Sequence, residues 1–121
     1  MSIFLELPED RILFRGNHFF IIRDAFPVSL GHSLIISNEL KADFFQLSAS
    51  EKLDLAAMIL QAKDLIEQEF SPDGYNIGMN CGEYAGQTVM HFHCHVIPRY
   101  KGDMANPKGG VRHCVQGKGY Y

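Results

Sequence analysis

Three cysteines are all that the sequence contains, Cys81, Cys94 and Cys114, and no two of them stand in a C-x-x-C pair. An odd count without that spacing excludes a disulfide framework and argues against a cysteine-based zinc site, so the three read as ordinary thiols. There is no excess of positive charge either. Lys and Arg total 11 against 14 Asp and Glu, a formal net charge of −3, which is the wrong sign for a protein whose affinity comes from neutralising a nucleic-acid backbone; no nucleic-acid partner is expected. No window approaches the roughly 18 consecutive apolar residues of a membrane span. The opening Met1-Ser-Ile-Phe-Leu-Glu-Leu-Pro has no positive n-region and is broken by Glu6, so it does not read as a secretory signal. A cytoplasmic protein without membrane association is the expectation. Internal repeats and low-complexity tracts are missing too, and 121 residues suffice for one core but not two, which predicts a single domain over residues 1–121.

What is present alternates between strand and helix signals. Arg11 to Phe14 and His18 to Arg23 are rich in aromatic and β-branched residues and are separated by Arg15-Gly16-Asn17, the pattern of a hairpin. Asp24 to Gly31 reads as a loop punctuated by Pro27 and Gly31, and His32 to Ser37 as a further strand. Ser48-Ala-Ser-Glu51 has the capping-box form and predicts a helix to about Phe70. Along it Leu55, Met58, Ile59, Ala62, Leu65, Ile66 and Phe70 recur at three and four residues, a stripe that would lie on a sheet. A strand from Tyr75 to Cys81 with Tyr75, Ile77 and Met79 on one face, a glycine-rich turn from Gly82 to Gly86, and a strand from about Thr88 to Ile97, closed by Pro98, complete the pattern. The fold class is α+β, a mainly antiparallel sheet with one long helix packed on it. The glycine-rich tail from Lys101 to Tyr121 reads as mostly irregular.

The chemistry concentrates in Gln87-Thr-Val-Met-His91-Phe-His93-Cys-His95-Val-Ile-Pro98. On a strand His91, His93 and His95 point to one side and Met90, Phe92, Cys94 and Val96 to the other, so half of the segment is core. Three imidazoles in a row are costly unless each finds a partner or a ligand. A solvated face would explain one lone histidine, but not three at strict alternation between apolar residues. A metal is the stronger rival, since histidines at i and i+2 can share a zinc ion. However, His91 and His95 are about 13 Å apart on an extended strand at roughly 3.3 Å per residue, too far for one tetrahedral ion, and no Cys or acid in the run completes a site; no metal is expected. Imidazole is nucleophilic when neutral and acidic when charged near pH 7, which suits a row in which one ring attacks phosphorus while its neighbour bonds to phosphate oxygens.

His91-Phe-His93-Cys-His95-Val-Ile resembles the signature of the histidine triad family, His-φ-His-φ-His-φ-φ with φ apolar. Ala85-Gly-Gln-Thr88 is similar to the stretch preceding it in the Hint and Fhit branches, Pro27-Val-Ser-Leu-Gly-His32 to the family's Pro-x-x-x-Gly-His turn, and Gly109-Gly-Val-Arg112 to a segment of bacterial members, so the likeness runs from about Ile3 to Arg112. The resemblance implies that His93 attacks the α-phosphorus of a nucleotide to form a nucleotidyl-histidine, which water then cleaves. It implies that His95 bonds a phosphate oxygen, and that Gln87 and Thr88 contact the bridging oxygen or the phosphate. Asn80 would contact phosphate, Asp24 the ribose hydroxyls, and Ile22 and Phe4 would flank a purine. His91 and His32 would form a polar network behind the site. Arg99, Lys101, Lys108 and Arg112 are candidates to meet a polyphosphate leaving group, with a solvated face as the alternative. The family usually needs no cofactor and forms two-fold dimers, so a homodimer acting on small nucleotides is expected. Hydrolysis of a dinucleoside polyphosphate is the first expectation; a nucleoside phosphoramidase, a nucleotide-binding module with weak catalysis and a metalloprotein are the alternatives.

Overall fold

The computed structural model describes residues 2–121. Its centre is an antiparallel sheet of five strands: β1 (Ile12–Arg15), β2 (Phe19–Arg23), β3 (Ser33–Ser37), β4 (Gly74–Gly78) and β5 (His93–Arg99), in the order β1-β2-β3-β5-β4. The single α-helix among the described residues, α1 (Ala49–Glu67), packs across one face. The α+β class read from the sequence is the observed one.

Strand alternation divides the apolar residues between two cores. Phe19, Ile21, Ile35, Cys94 and Val96 meet Leu55, Met58, Ala62 and Ile66 of α1 on one face. Phe20, Ile22, Leu34 and Ile36 on the other face are covered by Phe4, Leu7 and Ile12. Because both faces are covered, every residue of β3 is buried, and each large apolar side chain so placed contributes about 1.5–3 kcal/mol.

The start of α1 follows from local chemistry. The Glu51 amide donates to Ser48 Oγ at 3.1 Å, the Ser48 amide donates to Glu51 Oε1 at 2.6 Å, and Lys41 Nζ adds a bond to the same carboxylate at 3.2 Å. Burial works to raise the Glu51 carboxyl, yet the Ser48 amide and Lys41 together hold it below the usual range. The helix ends at Glu67, short of Phe70, although the Phe70 amide still bonds the Ile66 carbonyl at 2.9 Å; Pro72 bars any further turn. Phe70 still packs against the core. It lies on Gly31, whose φ of +88° and missing Cβ, which would stand 2.9 Å from the Phe70 ring, require glycine there.

Two expectations are corrected near the last strand. Residues 88–92 are not strand, so β5 begins only at His93, and Met90, expected in the core, is 48% exposed. The Phe92 amide bonds the carbonyl of Lys41 at 2.7 Å instead of continuing a ladder. At the other end β5 runs through Pro98, which pairs with Tyr75 beyond the last β3 pair, Ser33↔Val96. There β5 has a neighbour on one side only, a position that tolerates proline. β4 ends at Gly78, before the expected Cys81, and Ile77 is 42% exposed. The tail is irregular apart from one 3-10 turn, Gly110–Cys114. No helix among the described residues is long and apolar enough to cross a membrane.

Candidate active site

Since Cys94 and Val96 of β5 face α1, His93 and His95 face the opposite side of the sheet. They open there into a cleft of about 480 Å³ between the sheet and the N-terminal segment, and the same cleft is lined by Phe4, Ile22, Asp24, Asn80 and Thr88. Seven residues singled out in the sequence thus converge on one cavity. The Phe4 ring stands edge-on to His93 with centroids 5.1 Å apart.

Backbone groups determine which nitrogen of each ring carries its proton, because a main-chain carbonyl can only accept and a main-chain amide can only donate. His93 Nδ1 lies 2.8 Å from the carbonyl of His91. It is therefore the protonated nitrogen, and Nε2 of the neutral ring carries the lone pair. His32 Nδ1 lies 3.1 Å from the amide of Val28 and must accept, which puts the proton of neutral His32 on Nε2. That proton is donated to His95 Nδ1 at 2.9 Å. His95 in turn carries its own proton on Nε2. Two adjacent rings of the same residue type are thus set in opposite tautomers, one with a free lone pair at Nε2 and the other with a donor there.

Electrostatics keep the donor ring neutral. Burial, reinforced by the nearby His32 and His93, pushes His95 down to about 4. Burial also lowers His32, against the attraction of Asp24. Asp24 lies at the mouth of the loop that follows β2, accepts the Phe26 amide at Oδ1 (2.9 Å) and places Oδ2 3.4 Å from His32 Nε2.

Three predicted residues stand elsewhere. His91 is fully buried outside the cleft. Its Nε2 donates to the carbonyl of Ser37 and its Nδ1 accepts from Ser2 Oγ, both at 2.7 Å, and burial lowers its pKa. It serves the cleft through its main-chain carbonyl. His32 is behind the site, as expected, but its partner is His95, not His91. Gln87, expected at the phosphate, is 3% exposed, and its side chain accepts from the Gly82 amide at 2.8 Å while donating to the carbonyls of Ala42 at 2.6 Å and Val89 at 3.1 Å. Both amide protons are committed, so here it ties the 82–89 loop to the segment before α1. Arg99 and Arg112 are committed as well: Arg99 to Asp103 and Asn76, and Arg112 to the carbonyls of Gly119 and Lys118.

Sequence reasoning missed the Val28 amide, Ser2, and Arg11, a cation that lines the cleft while bonding the Arg23 carbonyl at 3.1 Å. Only the spacing of the Pro27–His32 turn hinted at the first; nothing local marked the other two.

Asp24, His32 and His95 bring potential metal-ligand atoms within 4.8 Å of one another. As it is bonded, His32 is not set to be one of those ligands. A metal-bound imidazole needs a proton on its remote nitrogen to give to an acceptor, whereas His32 Nδ1 faces the Val28 N–H, itself a donor.

A family model described as the HIT domain matches residues 6–102. An uncharacterised HIT-like protein of Mycoplasma genitalium is 38% identical over 89 residues, 71% of this chain and 61% of that protein. A bis(5′-nucleosyl)-tetraphosphatase (asymmetrical) of Schizosaccharomyces pombe is 39% identical over 79 residues, 65% of this chain and 43% of its own length. The chain thus spans about three-fifths or less of these two curated relatives. Among solved structures, a HIT family protein from Bacillus anthracis superposes with a TM-score of 0.76 at 33% identity, covering 84% of this chain and 75% of the other.

Proposed function

Given that the chain belongs to the HIT domain family, we propose that it is a nucleotide hydrolase or transferase that works through a nucleotidyl-His93 intermediate, with a dinucleoside polyphosphate as substrate. The observation that carries this reading is the pair of ring contacts, His93 Nδ1 to the His91 carbonyl and His95 Nδ1 to His32 Nε2, from which the opposed tautomers follow.

In the first step His93 Nε2 attacks the α-phosphorus. A P–N bond forms as the bond from phosphorus to the bridging oxygen breaks, and the electron pair leaves with that oxygen, which departs as a phosphate anion and exchanges protons with solvent water. The attacking ring keeps its Nδ1 proton and so becomes cationic, a charge that the His91 carbonyl stabilises. The His95 Nε2–H donates to a phosphate oxygen where negative charge builds up. In the second step water attacks phosphorus, loses a proton, and returns the electron pair to His93 Nε2. Asp24 binds the ribose hydroxyls, Asn80 and Thr88 the phosphate, and the base lies between Phe4 and Ile22; all of them line the cleft. The charge stabilisation uses imidazoles and amides and requires no metal, in keeping with the tautomer of His32. A two-fold dimer belongs to the same reading, since β4 is an edge strand with one neighbour.

The name of the fission-yeast relative supports a tetraphosphate substrate. The test is steady-state turnover of a diadenosine polyphosphate beside an adenosine phosphoramidate, with His93→Asn as control. We expect turnover of the first to exceed that of the second and to fall to background in the variant. A large preference for the amine makes the protein a phosphoramidase instead, and full activity of the variant removes His93 from the chemistry.

A further inference from the structure

A second cavity, of about 460 Å³, adjoins the nucleotide cleft and shares His95 and Asn80 with it. Its floor is the β4–β5 ladder on the histidine face, where Gly78 pairs with His95 and Asn76 with Ile97. Its far wall is the 3-10 turn of the tail, through Gly110, Val111 and Cys114. Resting on the reading above, we propose that this cavity is the subsite for the leaving group, and that what it takes is the second nucleoside of a dinucleoside polyphosphate.

Three observations favour that occupant. The two cavities are of similar size and meet at the histidine that faces the phosphate, so a polyphosphate chain crossing His95 carries one nucleoside into each. The wall chemistry suits a base more than further phosphates. Ile97 and Val111 supply apolar surface, no Lys or Arg among the described residues lines the cavity, and the neighbouring Arg99 is held by Asp103 and Asn76. Third, the floor is kept open. Nothing lies within 4 Å of where a Gly78 Cβ would stand, although Gly78 is the residue beside His95.

The wall is held in place by the tail's own bonds. Gly110 approaches β4 so closely that a Cβ there would be 3.3 Å from Asn76 Nδ2. His113 bonds the carbonyl of Lys108 at 2.9 Å, and Arg112 that of Gly119 at 3.3 Å. The tail therefore presents Val111 and Cys114 on a fixed turn.

The test reads a ratio, kcat/KM for diadenosine tetraphosphate over kcat/KM for adenosine phosphoramidate, whose leaving group is too small to need the subsite. Gly78→Leu fills the floor, and Val111→Trp fills the opposite wall from an exposed turn that tolerates the change. Each should lower the ratio about tenfold. A ratio unchanged in Val111→Trp, or equal loss on both substrates in both variants, overturns the proposal. Equal loss together with an altered oligomeric state by light scattering identifies the cavity as a contact between copies, which overturns it too. Wild-type protein that turns over neither substrate defeats the hydrolase reading itself, and this inference with it.

Discussion

Replacing His32 by asparagine separates the two hydrogen bonds that its imidazole makes. Asparagine carries its oxygen about where the histidine carries Nδ1, so His32→Asn can still accept from the Val28 amide and hold the loop. It has nothing at the Nε2 position. The His95 Nδ1, 2.9 Å from that nitrogen, then loses its donor, and nothing keeps the His95 proton on the side of the cleft. Leaving a buried polar group without its partner costs about 1–3 kcal/mol, and at about 1.4 kcal/mol per tenfold kcat should fall by roughly 5- to 150-fold. KM should change little, because Phe4, Ile22 and Asp24 are untouched. His32→Gln is the complement: it can restore a donor near Nε2 while giving up the Val28 contact, and should recover part of kcat with a less stable loop. The assay is steady-state kinetics on a diadenosine polyphosphate, with thermal melts of each variant. If His32→Asn retains kcat within twofold, or if the glutamine variant is the slower of the two, the relay from Val28 to His95 does not set the chemistry.

Stability should decline in mild acid. His95, His32 and His91 all have pKa values lowered in the folded protein, His95 to about 4, so below the ordinary value of about 6.5 the unfolded chain takes up protons that the folded one refuses. Each such histidine removes up to about 1.4 kcal/mol per pH unit as pH falls from 6.5 towards the folded value; urea midpoints at pH 7.5, 6.5 and 5.5 measure the trend, and a flat or rising series contradicts it. Gln87→Ala breaks three hydrogen bonds and should cost about 2 kcal/mol or more in chemical denaturation; a normal stability with reduced kcat would show instead that the side chain serves the substrate. Ser2→Ala removes the donor to His91 and the cap of the first turn. It should loosen Phe4 and raise KM about fivefold, for a loss of about 1 kcal/mol, which nucleotide titration checks.

Features of the protein that depend on neighbours in the chain were legible in the sequence. The capping box at Ser48 and Glu51 and the apolar stripe of α1 are local, and the alternation of Cys94 and Val96 against His93 and His95 needs only the strand period. The start of β5 was not legible, because the chain before it is held by the bonds of Gln87 to Ala42 and of Phe92 to Lys41, more than forty positions away. The partner of His32 depends on the register that sets Leu34 opposite His95; the rings of His32 and His95 belong to residues 63 positions apart. Gln87 shows the limit of a motif. Its place in the chain matches a phosphate contact, while its bonds make it a tie within the loop, and only three-dimensional neighbours reveal that.

The most direct measurement is mass analysis of protein quenched within the first turnovers on a diadenosine polyphosphate, followed by fragmentation to locate the bound nucleotide. The expected result is one nucleoside monophosphate on the His93 side chain, in a linkage that is stable to base and lost in acid. An adduct on another residue, or rapid turnover with none formed, would contradict a covalent role for His93.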